Sequence, residues 1–278
     1  MTTDEQRESW RSVAEGWERR REGIWAITQP VSERLVELLA PRSGDTVLEL
    51  AAGSGDTGYL AAERIGPAGR LVTSDFVPEI VDSARRRAAE LELDTVEFRV
   101  LDMQALDLAD ESVDGVLCRW GYMLAGDPAV ALAETRRVLR RGGRVAFAVW
   151  GTPEENPWSS TAGRLVAERG LVPPPAPDAP GPFRLGDRTR VDALVVGAGL
   201  EIVAHEDFPV TFRETSFDDY WESTRDLSRA FRTALEPLDD AGVAALRSEL
   251  AARLGPFRDG AGLTIPGLTQ IVLARRPT

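Results

Sequence analysis

The stretch "LELAAGSGDTGYLAAERIGPAGRLVTSDF", residues 48–76, places glycines, buried-looking acids and a helix start within one loop's reach. An apolar run turns into a glycine-rich loop, then a helix-like segment, then a second apolar run ending in an acid. Gly53, Gly55 and Gly58 spell G-x-G-x-x-G, and Asp75 lies twenty residues beyond Gly55. By letter this is the dinucleotide fingerprint: glycines let backbone approach a ligand, and the acid accepts hydrogen bonds from ribose hydroxyls. Two other acids disagree. Glu49, at the end of the first predicted strand, would repel a pyrophosphate but could hold an ammonium. Asp56, at the predicted helix start, spoils an N-terminus meant for phosphate. Asp102, after a further strand, offers an acceptor to an exocyclic adenine amine.

These charges fit a ligand with an ammonium, a ribose and an adenine, and no phosphate. S-Adenosylmethionine is such a ligand. Composition narrows the field further. All 33 basic residues are arginine, so no lysine serves a P-loop, a Schiff base or a Tyr-x-x-x-Lys dehydrogenase pair. One cysteine, Cys118, and one histidine, His205, leave no set of residues for a Cys- or His-built metal site. A net charge of −12 argues against nucleic acid as a partner. No run reaches the roughly 18 apolar residues of a membrane span, and the charged N-terminal stretch has no apolar signal segment, so a cytoplasmic location is expected.

The elements that must position these residues follow from periodicity and punctuation. Residues 8–40 read as one or two helices. Strands are predicted at 46–50, 71–74, 95–101, 112–118 and 144–150. Helices are predicted at 56–65, from Pro78 onward, and at 127–143, the last closed by Gly142-Gly143. Strand–helix alternation means an α/β fold on a mainly parallel sheet with helices on both faces. After Trp150 a Pro-rich stretch, 151–182, cannot be regular throughout. A helix at 188–199, a strand at 200–213, a mostly helical 216–256 and a last strand at 268–276 complete the reading. The organisation predicted is one domain over 1–278. It has a helical cap (1–40), a cofactor-binding core (41–151), a Pro-rich substrate loop (152–187) and a C-terminal sheet half (188–278) with a helical insertion at about 214–262.

The ordered set "VLELAAGSGDTG", "LVTSDFVPEIVDSAR", "VEFRVLDMQAL", "SVDGVLCRWGYM" and "RVLRRGGRVAFAVWG" resembles class I S-adenosylmethionine-dependent methyltransferases. The branch it looks most like includes ubiquinone/menaquinone-biosynthesis C-methyltransferases and bacterial small-molecule methyltransferases. The resemblance covers roughly residues 44–151. It implies a Rossmann-like sheet of seven strands with the last antiparallel. It also implies that Gly53 and Gly55 pass under the cofactor, that Asp75 takes the ribose with Phe76 beside the adenine, that Asp102 and Met103 frame the base, and that Arg119 and Trp120 line the methionine end. Ala51 stands where the family usually has the loop's first glycine, so a slightly altered loop with binding retained is expected.

The reading is therefore an enzyme that moves a methyl group from S-adenosylmethionine to a small organic acceptor, at O, C or N. The acceptor is expected to be aromatic, quinone-like or a secondary metabolite. A general base is not required for an ionised phenol or an activated ring carbon. The alternatives are a non-catalytic domain that senses the cofactor, and an NAD(P)-dependent oxidoreductase. Trp17, Trp25, Tyr122, Trp150 and Trp158 are the candidates for lining the acceptor pocket. His205 and Cys118 read as structural, no metal is expected, and the chain is expected to be a monomer or homodimer with a small molecule as its partner.

Overall fold

In the computed structural model the residues described are 3–174, 176 and 178–278; Pro175 and Pro177 of the Pro-rich stretch lie outside them. Two helices lead, α1 (Thr3–Arg11) and α2 (Ala14–Leu39). On α2, Val31, Leu35 and Leu39 recur at every fourth position and are buried, so one face of the helix lies on the sheet. The core then alternates β1 (Thr46–Glu49), α3 (Asp56–Ile65), β2 (Arg70–Asp75), α4 (Pro78–Glu90), β3 (Val96–Val100), β4 (Val113–Arg119), α5 (Pro128–Val138) and β5 (Leu139–Trp150). Thereafter come α6 (Pro157–Glu168), α7 (Arg188–Gly197), β6 (Glu201–Glu214), α8 (Phe217–Leu227), α9 (Arg229–Leu235), α10 (Asp240–Arg253), β7 (Arg258–Asp259) and β8 (Gly262–Arg275).

The strands form one sheet in the order β3-β2-β1-β4-β5-β8-β6, with the two-residue β7 paired to the start of β8. Neighbours from β3 to β5 are parallel, and β8 runs antiparallel to both β5 and β6. This is the Rossmann-like arrangement that the resemblance implies, with one short extra strand. Strand order reverses between β1 and β4, and in such sheets ligands sit beyond the strands' carboxyl ends at that crevice. Val47, Leu48, Val116 and Leu117, in the middle of the sheet, are completely buried, as strands covered on both faces must be.

Three boundaries differ from the sequence reading. The helix expected over 127–143 ends at Val138, and β5 begins at Leu139, which pairs with Val113. Gly142, at φ +75°, serves a bend in the strand and donates its N–H to the Arg276 carbonyl, so the two glycines are not a helix cap. The expected Pro-rich loop contains a helix, α6, with Pro157 in its first turn. The last strand starts at Gly262 rather than 268, because β6 extends to pair with it through Glu214 and Leu263. Pro266 is tolerated there because β5 covers β8 only from Thr269 onward, which leaves one ladder edge of β8 open at that point.

Buried apolar residues gather in two clusters. The larger lines both faces of the sheet from β1 to β5. The second, with Leu165, Tyr220, Trp221, Phe231, Leu250, Leu263 and Ile265, lies where α6, α8, α9 and α10 pack on the outer β6–β8 ribbon. Asn156, completely buried, ties the two together. Its amide donates to the Leu268 carbonyl and accepts from the Leu268 N–H, both at 3.0 Å, so it takes the place of a strand residue where β5 stops. Among the described residues no helix is long and apolar enough to cross a membrane.

Candidate functional site

β1 delivers Glu49 to the crevice with only 2 % of its surface exposed. Its carboxylate accepts hydrogen bonds from the Gly58 N–H at 2.7 Å and the Thr73 hydroxyl at 3.2 Å. A Cβ at Gly58 would come within 2.3 Å of Glu49 Oε2, so the third glycine of the fingerprint makes room for this acid. Burial pushes the Glu49 carboxyl up to about 8, against the opposing pull of the Gly58 N–H, the Arg119 charge and Thr73.

The loop that follows turns through left-handed backbone at Ala51, Gly53 and Gly55, with φ of +50°, +59° and +83°. Ala51 keeps the conformation a glycine would adopt, at a cost on the order of 1 kcal/mol. Nothing lies within 4 Å of where a Gly53 Cβ would be, so that glycine faces open space, whereas a Cβ at Gly55 would strike the Tyr59 hydroxyl. The Gly53 N–H donates to Asp75 Oδ2 at 3.3 Å, and Val77 N–H to Oδ1 at 3.2 Å. Burial raises Asp75 to about 6. Asp56 turns aside, accepting from Ser54 and from Arg87 at 3.4 Å.

Around this loop stand the ends of the neighbouring strands. The Phe76 carbonyl accepts from Arg7 of α1 at 3.1 Å, and the Arg7 guanidinium lies 5.9 Å from the Phe76 ring. Asp102 Oδ1 is held by the Gln104 N–H at 2.9 Å. Met103 reaches toward Gly121, where an added Cβ would meet Ala51 Cβ at 2.7 Å and Cys118 Sγ at 2.6 Å. Trp120 is a second non-glycine residue in left-handed backbone, at φ +59°. It stacks on Trp150 at 4.2 Å and donates from Nε1 to Thr269. Arg119 lies 5.1 Å from the Trp120 ring and 6.0 Å from the Trp25 ring of α2. Its Nη1 is buried without a hydrogen-bond partner.

The ten residues expected at a cofactor site thus come from the carboxyl ends of β1 to β4 and the turns after them. The five acceptor candidates do not gather in the same way. Trp25 faces Arg119. Trp150 and Trp158 continue a file of rings, Trp120, Trp150, Trp158, Phe212, with neighbouring centroids 4.2, 5.0 and 4.1 Å apart. Trp17 stays 39 % exposed beside Trp10. Tyr122 is fully buried, edge-on to Phe147, with its hydroxyl on Thr135 of α5, so it belongs to the core and faces no pocket. His205 bridges Asp192 and Gln270 inside the sheet edge, and Cys118 is a buried thiol pushed up to about 12 by its burial. Thr73, Gly121, Arg7 and Phe212 escaped the sequence reading. Only Gly121 carried a signal, a glycine two residues past a strand end.

Residues 41–167 match the family profile of a methyltransferase domain. The arsenite methyltransferase of Halobacterium salinarum is 40% identical over 104 residues, 37% of this chain and 27% of that protein. The ubiquinone/menaquinone biosynthesis C-methyltransferase of Bdellovibrio bacteriovorus is 34% identical over 119 residues, 43% of this chain and 50% of that one. The chain thus spans between about a quarter and a half of the length of these curated relatives. The geranyl diphosphate C-methyltransferase structure from Streptomyces coelicolor superposes with a TM-score of 0.53 at 20% identity, over 89% of this chain and 79% of that one, a likeness of fold.

Proposed function

We propose, from the premise that this chain belongs through residues 41–167 to the class I S-adenosylmethionine-dependent methyltransferases, that it methylates a small organic molecule. The donor groups suit the cofactor. Gly53 offers open backbone, Glu49 is a buried carboxylate that a cation would complete, and Asp75 is a second acid beside it. When bound, S-adenosylmethionine supplies an electrophilic methyl group on a positive sulfur. In this reading Glu49 holds the ammonium, Ala51, Gly53 and Gly55 pass beneath the ligand, and Asp75 takes the ribose hydroxyls. Phe76, Asp102 and Met103 enclose the adenine, and the turn at Arg119–Trp120 borders the methionine end.

The chain's own contribution to methyl transfer is then alignment and exclusion of water. The buried Glu49 acid next to the open backbone of Gly53 carries the reading best. Just past the ends of the neighbouring strands β1 and β4, Ala51 and Trp120 add two of the six positive-φ non-glycine residues among those described. The acceptor side is the ring file from Trp120 to Phe212 with Trp25 opposite, which favours a flat, apolar or aromatic acceptor. Trp158 or Trp150 contacts that acceptor.

Calorimetry with S-adenosylmethionine, S-adenosylhomocysteine, NAD and NADP tests the cofactor. Binding of the first two alone is the expected result; NAD binding with no response to either adenosyl ligand would sink the reading. A screen of phenols, quinones and amines with methyl-labelled cofactor then reads the acceptor class.

A further inference from the structure

Among the described residues, Arg119 is a side chain the fold does not satisfy. Register places it: Glu49 of β1 pairs with Leu117 of β4, and Arg119 follows two positions on. Alternation therefore puts the Glu49 and Arg119 side chains on the same face of the sheet. There Arg119 lies near the Trp25 and Trp120 rings, its Cζ 6.0 and 5.1 Å from their centroids, and an indole ring offers no acceptor oxygen to a guanidinium N–H. Burial holds the guanidinium below the usual arginine range, against the opposing effect of ionised acids at Glu49 and Asp56. The buried Nη1 finds no acceptor. Burying a guanidinium N–H without an acceptor is costly, so such a group is retained where something else uses it. A second orphan lies on α2. Thr28, one helical turn past Trp25 on α2, also has a buried hydroxyl with no partner.

We propose that the Arg119 guanidinium receives the carboxylate of the cofactor's amino-acid end, and that Arg119 and Glu49 together form a two-charge clamp selecting the intact zwitterion. The inference rests on the cofactor reading above and adds to it a specificity element made by a side chain. The ligand's charges complement the pair: its ammonium meets the Glu49 carboxylate, and its carboxylate takes the Arg119 Nη1 donor that finds no acceptor in the fold. A planar, bidentate donor suits this task better than a lysine ammonium would.

The test compares S-adenosylhomocysteine with its methyl ester, which keeps the ammonium and removes the carboxylate charge, by calorimetry on the full chain. Wild type should bind the free acid at least tenfold more tightly than the ester. Arg119→Met should bind the two alike, the acid losing the advantage it has in wild type, and Arg119→Lys should restore part of the preference. Thermal melting of the unliganded Met variant should match or exceed wild type, because an apolar side chain replaces an unsatisfied buried charge. Should Arg119→Met fail to fold, Arg119→Gln and Arg119→Lys carry the same comparison. A variant that keeps the wild-type preference for the acid, or that loses affinity for acid and ester equally, overturns the clamp while leaving the cofactor reading intact. A wild type that binds neither adenosyl compound overturns the cofactor reading itself.

Discussion

The crevice at the ends of β1 to β4 and the aromatic ribbon made by Trp150 of β5, Trp158 of α6 and Phe212 of β6 are built on opposite terms. In the crevice, acids are buried beyond their comfort, two non-glycine residues sit in left-handed backbone, and an arginine N–H lacks a partner. On the ribbon, rings stack on rings, and the Trp158 indole N–H is satisfied by Asn156 at 3.0 Å. One region stores unmet polar interactions that a cofactor can meet; the other has its polar groups satisfied and offers only ring surface. Substitutions should therefore separate: damage to the ribbon should cost stability, and damage to the crevice should cost binding.

The largest expected effect is on the ribbon. Trp158→Ala removes a half-buried indole stacked on Phe212, at about 3 kcal/mol, the low end of the range for losing a core aromatic ring. A chemical-denaturation midpoint should fall clearly, and any acceptor identified should show a raised KM or lowered turnover. Affinity for S-adenosylhomocysteine should stay within about 0.5 kcal/mol of wild type. Lost cofactor binding with unchanged acceptor kinetics would dissolve the distinction between the regions and assign Trp158 to the cofactor side.

Asp75→Ala comes next and reverses the pattern. If the carboxylate takes the ribose hydroxyls, its loss leaves them unpaired in a desolvated site, at about 1–3 kcal/mol. The dissociation constant for S-adenosylhomocysteine should rise roughly tenfold or more while the fold survives. An unchanged constant would place the ribose elsewhere.

Glu49 sharpens the comparison through pH. The folded protein keeps a proton on Glu49 up to about 8, while the unfolded chain releases it near the ordinary 4.5. Folding therefore takes up a proton in that window, so the stabilisation is complete below about 4.5 and fades as pH rises through 8. Asp75 adds the same trend up to about 6. The melting temperature of the unliganded protein should decline across this range, and Glu49→Gln should flatten the decline. A cationic ligand group favours the ionised acid, so proton release on binding near neutral pH, lost in Glu49→Gln, should appear in calorimetry across buffers of different ionisation enthalpy. The smallest effect belongs to α1. Arg7→Ala removes the hydrogen bond to the Phe76 carbonyl and should leave melting within about 0.5 kcal/mol, while cofactor dissociation, followed by stopped flow, quickens.

Where one physical rule dominated, the sequence could be read. Strands β1, β2 and β4 are apolar runs because helices cover both their faces, and the site residues at their ends came with them. Where a residue's role depends on a distant partner, reading failed. Gly142-Gly143 has the letters of a helix end, yet its bend answers the main chain at Arg276, far along the sequence. The first six residues of β8, with Pro266 among them, look like loop because the matching extension of β6 is invisible locally. Gly58 was legible as part of a fingerprint, but its purpose, space for Glu49, needs the folded pair. Tyr122 follows β4 just as Trp120 does, and only packing tells the core ring from the one at the crevice.

Asn156 gives the junction between the two regions its own reporter. The Leu268 N–H is held by a side chain of the α6 entry at 3.0 Å, whereas the next residue, Thr269, lies within the β5–β8 ladder. Exchange of the Leu268 amide with solvent deuterium therefore requires only that Asn156 let go, while amides deeper in β8 wait for the sheet to open. The difference in protection between position 268 and the middle of β8 measures the free energy of lifting the α6 entry away from an intact sheet.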